Sequence, residues 1–584
     1  MNTLKQAIEA ALGVTGVHLE YPNDPAHGDF ATNIAMNEFS KIVVELKKQQ
    51  EDRKGRDVSR SENVRIFQGI LRNGKLIKNP RELAEMYVEK LRAANIPHVA
   101  TIEIAGPGFI NFRMERTFFS SAVAQALHAG DEYGKGATYG GTKYIFEYTD
   151  PNPFKQFHIG HFMSNTIGEA FSRLAEWNGA EVKRVTYQGD VGMHVASAIW
   201  GMQQMQSEGA SVETMEALGE AYARGATALK EDAAIKAEIQ AINKHVYERS
   251  DDAINELYDR GRALSLAYFE TIYQRLGSRF DYNFFESESA PIGKKLVEEH
   301  PDIFTKSDGA IVYEGEKHGL HTRVFINSEG LPTYEAKELG LARIKHDWYP
   351  YDVSVVITGN EINEYFKVLL AAMNEVYPEL AVKTIHQSHG MLRLPSGKMS
   401  SRTGDVITAE ALLDTTRDRA LTVMQEPDEH IAEMIAVAGL KYAILRQSPG
   451  KDVVFDPEQA LSFEGDSGPY IQYTYVRTKS ILEKAADAGI TASTDTFPED
   501  STDIERLLHR FPHVIEEAAE KYAPHTIVTY VTELASAFNT FYAGTKILDT
   551  DNPYAPYYLA LTEAVGHTLK NGLFVLGIDV PERM

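Results

Sequence analysis

Apolar and polar positions follow three different rhythms along this chain. The N-terminal stretch is amphipathic and reaches Gly28-Asp29-Phe30-Ala31-Thr32-Asn33-Ile34-Ala35, a turn leading into a helix. Thr101-Ile102-Glu103-Ile104 then alternates, and with Gly106-Pro107-Gly108-Phe109-Ile110-Asn111-Phe112 it predicts two strands joined by a Gly/Pro turn. From Tyr144 to about Ile407 the rhythm changes to strands alternating with helices. Tyr144 to Tyr148, Val182 to Tyr187 and Val353 to Thr358 read as buried strands, and Met163, Ile167, Phe171, Leu174 and Trp177 recur at helical spacing until Asn178-Gly179 closes the helix. Ala196 to Leu276 is largely helical. After Val406 nearly everything is amphipathic helix, at 408–425, 427–447, 468–487, 502–522, 525–544 and 553–575.

This pattern predicts an α/β protein with a mostly parallel sheet carrying helices on both faces, an α+β N-terminal domain and an all-α C-terminal bundle. The expected boundaries are 1–115, 116–407 with a helical insertion at 196–280, and 408–584. Lys47 to Arg65 is dense in Lys, Arg, Glu, Gln and Asp with almost no apolar periodicity. A solvated, mobile insertion is expected there, with an RNA-contacting arm as the other reading.

Composition narrows the chemistry by exclusion. Zero cysteine excludes disulfides, thiolate nucleophiles and cysteine zinc sites, and the histidines lack metal-ligand spacing, so no structural metal is expected. The start lacks an apolar signal core and no segment offers the ~18 apolar residues of a bilayer span, which points to a cytoplasmic protein with no membrane partner. Lys+Arg 59 against Asp+Glu 83 leaves −24, which taken alone argues against a nucleic-acid partner unless basic groups gather on one face.

The most informative stretch is Asp150-Pro151-Asn152-Pro153-Phe154-Lys155-Gln156-Phe157-His158-Ile159-Gly160-His161, between a strand and a helix. A helix N-terminus offers unpaired N–H groups and partial positive charge. Gly160 admits a ligand close to the backbone, and Lys155, His158 and His161 add donors. ATP would fit there. Read alone, His158 and His161 are more simply capping or core histidines.

This turn resembles the "HIGH" signature of class I aminoacyl-tRNA synthetases. Pro395-Ser396-Gly397-Lys398-Met399-Ser400-Ser401-Arg402-Thr403-Gly404 resembles their second signature, Lys-Met-Ser-Lys-Ser. Order and spacing of the two are those of the class, which implies a Rossmann-like catalytic domain. The resemblance narrows to the arginyl-tRNA synthetase family on further segments: Gly28 to Asn33, Gly106 to Phe112, Pro332-Thr333-Tyr334-Glu335-Ala336-Lys337-Glu338-Leu339-Gly340-Leu341-Ala342, Leu461 to Tyr473, and Glu533 to Asn539.

The resemblance implies arginine activation by ATP with Mg²⁺, then transfer from the adenylate to the 3′ end of tRNA(Arg), by a monomer. His158 and His161 would bond phosphate and ribose oxygens, and Lys398, Ser400 and Ser401 would clamp the pyrophosphate. Ser401 replaces the second lysine of the signature, and Lys155 is the candidate replacement charge. The equivalents of Glu147, Tyr334 and Glu338 take the guanidinium, Asn152 holds the α-amino end, and Glu361 closes the strand end where ligands of such sheets bind. Phe109 and Asn111 fall where the family places a tRNA D-loop contact, although Phe109 as core and Asn111 as a turn residue is an equal reading. The C-terminal bundle would bind the anticodon.

The residues support arginine independently. A guanidinium carries five donors in a flat fork, so its pocket needs carboxylates and a phenol rather than another cation. Glu147 alternates with Phe146 and Tyr148 on the strand before the signature, and Tyr334 and Glu338 stand four apart on one helix face. The bland alternative leaves Glu147 and Glu338 solvated. Two departures from the family stand out: Glu338 replaces an Asp, and Gly189-Asp190-Val191-Gly192 carries Val in place of Trp. Another class I synthetase or related nucleotidyltransferase, or a catalytically dead tRNA-binding relative, are the competing functions; the acidic pair argues against the first and the retained phosphate ligands against the second.

Overall fold

A computed structural model describes residues 2–22, 24–53, 70–72, 75–393, 408–424 and 426–584. Lys398, Ser400 and Ser401 lie outside the described residues, as does 54–65 of the charged insertion. The chain divides into two compact units, Met1–Ala129 with Ala485–His513 and Lys546–Ala564, and Gly130–Lys484 with Val514–Thr545 and Val565–Met584.

The first unit contains α1 (Asn2–Leu12), β1 (Phe30–Thr32), α2 (Ile34–Arg53), α3 (Pro80–Ala93), β2 (Val99–Ala105), β3 (Phe109–Met114) and α4 (Arg116–Ala129). Its antiparallel sheet runs β1-β3-β2. Helices and sheet share a core that includes Ile8, Tyr87, Leu91, Ile110 and Phe112. Two ion pairs fasten it to later sequence of the same unit: Arg116 to the buried Glu505 at 2.7 Å and Arg506 to Asp29 at 3.0 Å. The helix after the Gly28 turn is longer than the sequence suggests, since α2 continues through Lys47 to Arg53. Straight-chain Lys, Glu, Gln and Arg sustain a helix without an apolar stripe, so missing periodicity there did not mean missing structure.

The second unit is built on five strands: β4 (Lys143–Glu147), β5 (Glu181–Gln188), β6 (Tyr282–Phe285), β10 (Val353–Gly359) and β11 (Thr384–His389). They pair in the order β11-β10-β4-β5-β6, every pair parallel. Beside it, β7 (Phe304–Ser307), β8 (Ala310–Tyr313) and β9 (Arg323–Ile326) form a small antiparallel sheet. The connection out of β4 is α5 (Ile159–Trp177), which returns to β5. Strand β10 joins the opposite edge of β4, so the order reverses beside the C-terminal end of β4, the place where open α/β sheets bind ligands.

The helical insertion holds α6 (Met193–Ser207), α7 (Met215–Glu231), α8 (Ala233–Glu248) and α9 (Asp252–Arg275), all between β5 and β6. Helices α10 (Glu286–Glu299), α11 (Tyr334–Trp348) and α12 (Asn363–Val376) complete the sheet's cover. The C-terminal helices are α13 (Ala409–Val423), α14 (Glu429–Leu445), α15 (Gly468–Asp487), α16 (Asp503–Glu520), α17 (Pro524–Gly544) and α18 (Ala555–Val575), in the six predicted places. Among the described residues no helix is long and apolar enough to cross a membrane.

The crossing of α10 and α11 sets the position of the residues at the sheet's C-terminal end. The two helices approach so closely that a Cβ on Gly340 would run into the carbonyl of Ser289, and one on Gly293 into that of Ala336. Glycine is required because backbone meets backbone. Gly340→Ala is expected to cost about 1–3 kcal/mol through overpacking, seen as a lower Tm; an unchanged Tm would show that the helices separate freely.

Candidate active site

The turn from β4 into α5 is held in a conformation that L-residues avoid. Thr149 (φ 81°), Asp150 (φ 46°) and Phe154 (φ 68°) are all left-handed, and a β-branched residue there is a true outlier. Such residues cost of order 1–3 kcal/mol each and persist only where their surroundings impose them. Here the surroundings are polar and buried. The Thr149 N–H donates to Ser164 Oγ at 3.0 Å, and its Oγ1 accepts from Asn165 Nδ2 at 3.1 Å. Asn165 in turn exchanges hydrogen bonds with Ser278 at 3.0 and 3.1 Å, and the Phe154 N–H donates to Ser265 Oγ at 2.9 Å.

His158 is the N-cap of α5. Its Nδ1 accepts from the N–H groups of Gly160 (3.0 Å) and His161 (3.4 Å), and His161 Nδ1 accepts the His158 N–H at 3.2 Å. The two rings stack with centroids 3.5 Å apart. A Cβ on Gly160 would sit 2.9 Å from His158 Cε1, so the glycine is needed for the ring to fold over the helix end. The capping reading of these histidines is therefore real, and the Gly160 and His161 N–H groups expected to be free are not. The consequence is chemical. Because each Nδ1 is an acceptor, each neutral ring carries its proton on Nε2, the remaining donor. Burial and then the Lys155 charge hold the His158 ring down to about 4, and burial holds His161 well below its ordinary range.

Lys155 is half-buried, its Nζ 4.9 Å from the centroid of the Tyr222 ring. The chain just after residues 394–407 is tied to the same turn: the Ala409 N–H donates to the Phe157 carbonyl at 2.9 Å, and Thr408 bridges His158.

Beside this turn lies a set of buried and half-buried carboxylates. Glu147 at the end of β4 is 2 % exposed, and its Oε2 accepts from Lys345 Nζ of α11 at 2.6 Å. Glu286 at the start of α10 pairs with Lys337 at 2.6 Å, both buried. Asp190 accepts from Tyr258 Oη, the Ser287 N–H and Ser287 Oγ at 2.9, 2.9 and 2.7 Å, and pairs with Arg262 at 3.2 Å. Asp150 Oδ1 accepts the Tyr187 N–H at 2.8 Å. Burial and then the Glu147 charge push the carboxyls of the half-buried Asp150 and Glu338 well above the usual carboxylate range. The solvated alternative does not hold for Glu147, which is buried; Glu338 is half-buried, with the Glu147 charge bearing on it.

Asn152 Oδ1 accepts the Gly189 N–H at 3.0 Å, and a Cβ on Gly189 would come within 2.5 Å of that oxygen and 3.3 Å of Glu286 Oε1. Asn152 thus joins the cluster. Tyr334 stands at its rim, 62 % exposed, with Lys337 Nζ 5.2 Å from its ring centroid. Glu361 is not brought there. It lies exposed on a 3₁₀ turn, Asn360–Ile362, with its carboxylate folded back over Gly359 and its charge bearing on His389. In the other unit, Phe109 and Asn111 are two apart on β3, half-buried and buried respectively. Asn111 is a strand residue opposite Ala31 and Glu103, not a turn residue. Val191 is buried and lines a cavity of ≈ 510 Å³ together with Tyr247, Tyr258, Arg262, Lys294 and Pro332.

Sequence reasoning missed Asp150, Glu286, Lys337 and Lys345 as members of the site. Lys345 carried one signal, standing seven residues after Glu338 and so on the same helix face.

Known proteins share this organisation. The family model "tRNA synthetases class I (R), catalytic domain" matches residues 122–456, "DALR anticodon binding domain" matches 471–584, and "Arginyl tRNA synthetase N terminal domain" matches 69–114. The chain is 28% identical over 550 residues to an arginine–tRNA ligase of Parabacteroides distasonis, covering 87% of this chain and 91% of the relative. It is 29% identical over 532 residues to one of Clostridium perfringens, with the same coverage of 87% and 91%. Its fold matches the Thermus thermophilus arginyl-tRNA synthetase with a TM-score of 0.77 at 22% identity, covering 100% of both chains. The Plasmodium falciparum arginyl-tRNA synthetase gives a TM-score of 0.75 at 17% identity, covering 100% of this chain and 98% of that one.

The paired rings make a pH prediction. A ring held down to about 4 in the fold but near 6.5 when unfolded takes up its proton on unfolding, so stability is complete above about 6.5 and falls as pH drops toward 4. Imidazole NMR should show His158 and His161 neutral, protonated at Nε2, at pH 6; titration of either near 6.5 would contradict the capped geometry.

Proposed function

Because the chain belongs to the arginyl-tRNA synthetase family of class I enzymes and ligates arginine to tRNA, we propose that the carboxylates around Glu147 are its arginine pocket and the N-terminus of α5 its ATP site. The observation that carries this reading is a mismatch of buried charge. Glu147, Asp150, Glu286 and Glu338 lie near one another, and among the described residues only two of the four have an ion pair, Glu147 with Lys345 and Glu286 with Lys337. A desolvated acid surplus favours a cation, and a guanidinium matches paired carboxylates in shape as well as charge.

In the first step the arginine carboxylate attacks the ATP α-phosphorus, forming the α-phosphorus–oxygen bond of arginyl-adenylate and releasing pyrophosphate. In the second, the terminal ribose hydroxyl of tRNA(Arg) attacks the carbonyl of that anhydride and AMP leaves. No enzyme-bound covalent intermediate is needed, so catalysis is positioning and charge stabilisation. Glu338 takes the guanidinium with Glu147, whose Oε1 remains while Lys345 holds Oε2. Tyr334 closes the rim, and Asn152 meets the α-amino end. His158 and His161 donate through Nε2 to phosphate and ribose oxygens. These are neutral donors, so positive charge must come from elsewhere. Lys155 supplies it near α5, and Lys398 with Ser400 and Ser401 clamps the pyrophosphate. The hydrogen bond from Ala409 to Phe157 supports this, since it anchors the root of the Lys398 segment at the His158 turn.

Mg²⁺ accompanies ATP, bound through the triphosphate. Among the described residues no group of three or more His, Asp or Glu is arranged to hold an ion. Residues 1–115 with Phe109 and Asn111 contact the tRNA D-loop and 408–584 the anticodon. A single chain carries every residue this reading uses, and the enzyme acts as a monomer.

Glu338→Gln keeps shape and removes charge. It should lose at least ~2 kcal/mol in kcat/KM for arginine with KM for ATP little changed; wild-type kinetics would remove Glu338 from the pocket. Lys155→Ala should slow adenylate formation roughly 10²-fold with tRNA affinity near normal. Adding Ser401→Lys should recover part of the loss, and an unaffected Lys155→Ala would end the idea that Lys155 supplies the missing charge.

A further inference from the structure

We infer that Lys441 of α14 is a positioning residue for the reaction: with Arg173 it clamps the segment Leu276-Gly277-Ser278, whose serine holds Asn165 against the strained turn between β4 and α5. The inference rests on the reading of that turn as part of the catalytic site. Each residue of the segment is gripped by a different side chain. Lys441 Nζ donates to the Leu276 carbonyl at 2.6 Å, and Arg173 Nη2 of α5 donates to the Gly277 carbonyl at 2.9 Å. Ser278 Oγ lies 3.0 and 3.1 Å from Nδ2 and Oδ1 of Asn165, and Asn165 Nδ2 donates onward to Thr149 Oγ1 at 3.1 Å.

The same cations grip the C-terminal end of α18. Lys441 Nζ donates to the Gly577 carbonyl at 2.5 Å, and Arg173 Nη1 donates to the Phe574 carbonyl at 3.0 Å. The cause is local. Helices α9 and α18 both end in a left-handed glycine, Gly277 at φ 62° and Gly577 at φ 71°, and the next N–H reaches back over the last turn, from Ser278 to Tyr273 at 3.0 Å and from Ile578 to Leu573 at 2.9 Å. Carbonyls at such ends carry partial negative charge and lack intrahelical donors. Two ends that meet at one point would repel, and the cations between them join them instead.

Packing alone does not call for a lysine here. Lys441 is 0 % exposed, and among the described residues no Asp or Glu pairs with it. Burial and then the Arg173 charge hold its ammonium down to about 8. A methionine would fill the place without burying a charge, so what the lysine contributes is its grip on the two carbonyls. That grip bears on the turn because Thr149, at φ 81°, keeps a conformation that persists only where its surroundings impose it. Asn165 is one of those surroundings, and Ser278 orients it. A segment free to shift lets the turn relax and moves the groups it carries out of line.

The rival role is structural, in which Lys441 only supports α14 and α18; that role lowers Tm and the active fraction but not the rate per active enzyme. In aminoacylation by the full chain, corrected for active-site concentration, Lys441→Met should lower kcat about 10-fold or more with KM for arginine and for ATP little changed. Ser278→Ala leaves the clamp and cuts the link to Asn165. It should lower kcat in the same way, and the double variant should be no slower than the slower single variant, because both act along one chain of contacts. If Lys441→Met does not fold, Arg173→Lys takes its place in the cycle, since it keeps a charge beside Glu169 and loses the fork that reaches both carbonyls. Full kcat in either folded single variant overturns the proposal, as does a double variant slowed by the product of the two effects. Lys155→Ala measured alongside tells the two readings apart: loss there with none in Lys441→Met or Ser278→Ala sinks only the clamp, whereas no loss in any of them removes the turn from the site.

Discussion

A carboxylate on the central strand of a parallel sheet has no water to solvate it, and the neutralisation of Glu147 organises the whole site. Glu147 lies opposite Val185 on one neighbour and Val356 on the other, so it is enclosed on both sides by strands. Lys345 answers it at 2.6 Å, and removing one partner of such a pair typically costs about 3–5 kcal/mol. Lys345 reaches Glu147 from α11, which crosses α10 in close backbone contact at Gly293 and Gly340. The same placement aims Tyr334, Lys337 and Glu338 at the end of the sheet. The strand pairing, the glycine crossing and the ion pair thus fix one another, and the binding residues are carried along.

The α5 terminus follows a similar economy. A helix N-terminus is an anion site in principle, but here His158 and His161 occupy the first N–H groups themselves and expose Nε2 instead. The helix end becomes a rigid pair of neutral donors, stacked at 3.5 Å and held at the end of a strained turn. Neutral histidines cannot compensate phosphate charge. In the proposed reading, the charge that stabilises the pyrophosphate therefore comes from Lys155 and Lys398 rather than from the signature histidines.

Much of this was legible in the sequence. Strand periods at Tyr144, Val182 and Val353, the Asn178-Gly179 stop and the six C-terminal amphipathic runs all correspond to elements in place, because local hydrophobic period decides them. Glu147 stood out as a charge inside an apolar strand. What stayed hidden was long-range pairing. Lys345 meets Glu147 across 198 residues and Lys337 meets Glu286 across 51, and no local pattern reports such meetings. Asp150 was hidden differently. It opens the signature turn but looks like an ordinary turn residue before proline. At Glu361 the position at a strand end was legible, but the fold-back of its side chain over Gly359 was not.

The carboxylate cluster gathers acids whose charged forms a bound cation would favour. Asp150 and Glu338, both raised by burial and by Glu147, should share protons in the free enzyme and give them up when a guanidinium binds. Calorimetric titration of arginine into the full chain near pH 7, in buffers of different ionisation enthalpy, reads this directly. Net proton release is expected, with an observed heat that scales with the buffer. A heat independent of buffer would mean that no carboxyl gives up a proton when arginine binds, which contradicts an account in which Asp150 and Glu338 hold protons until a guanidinium arrives.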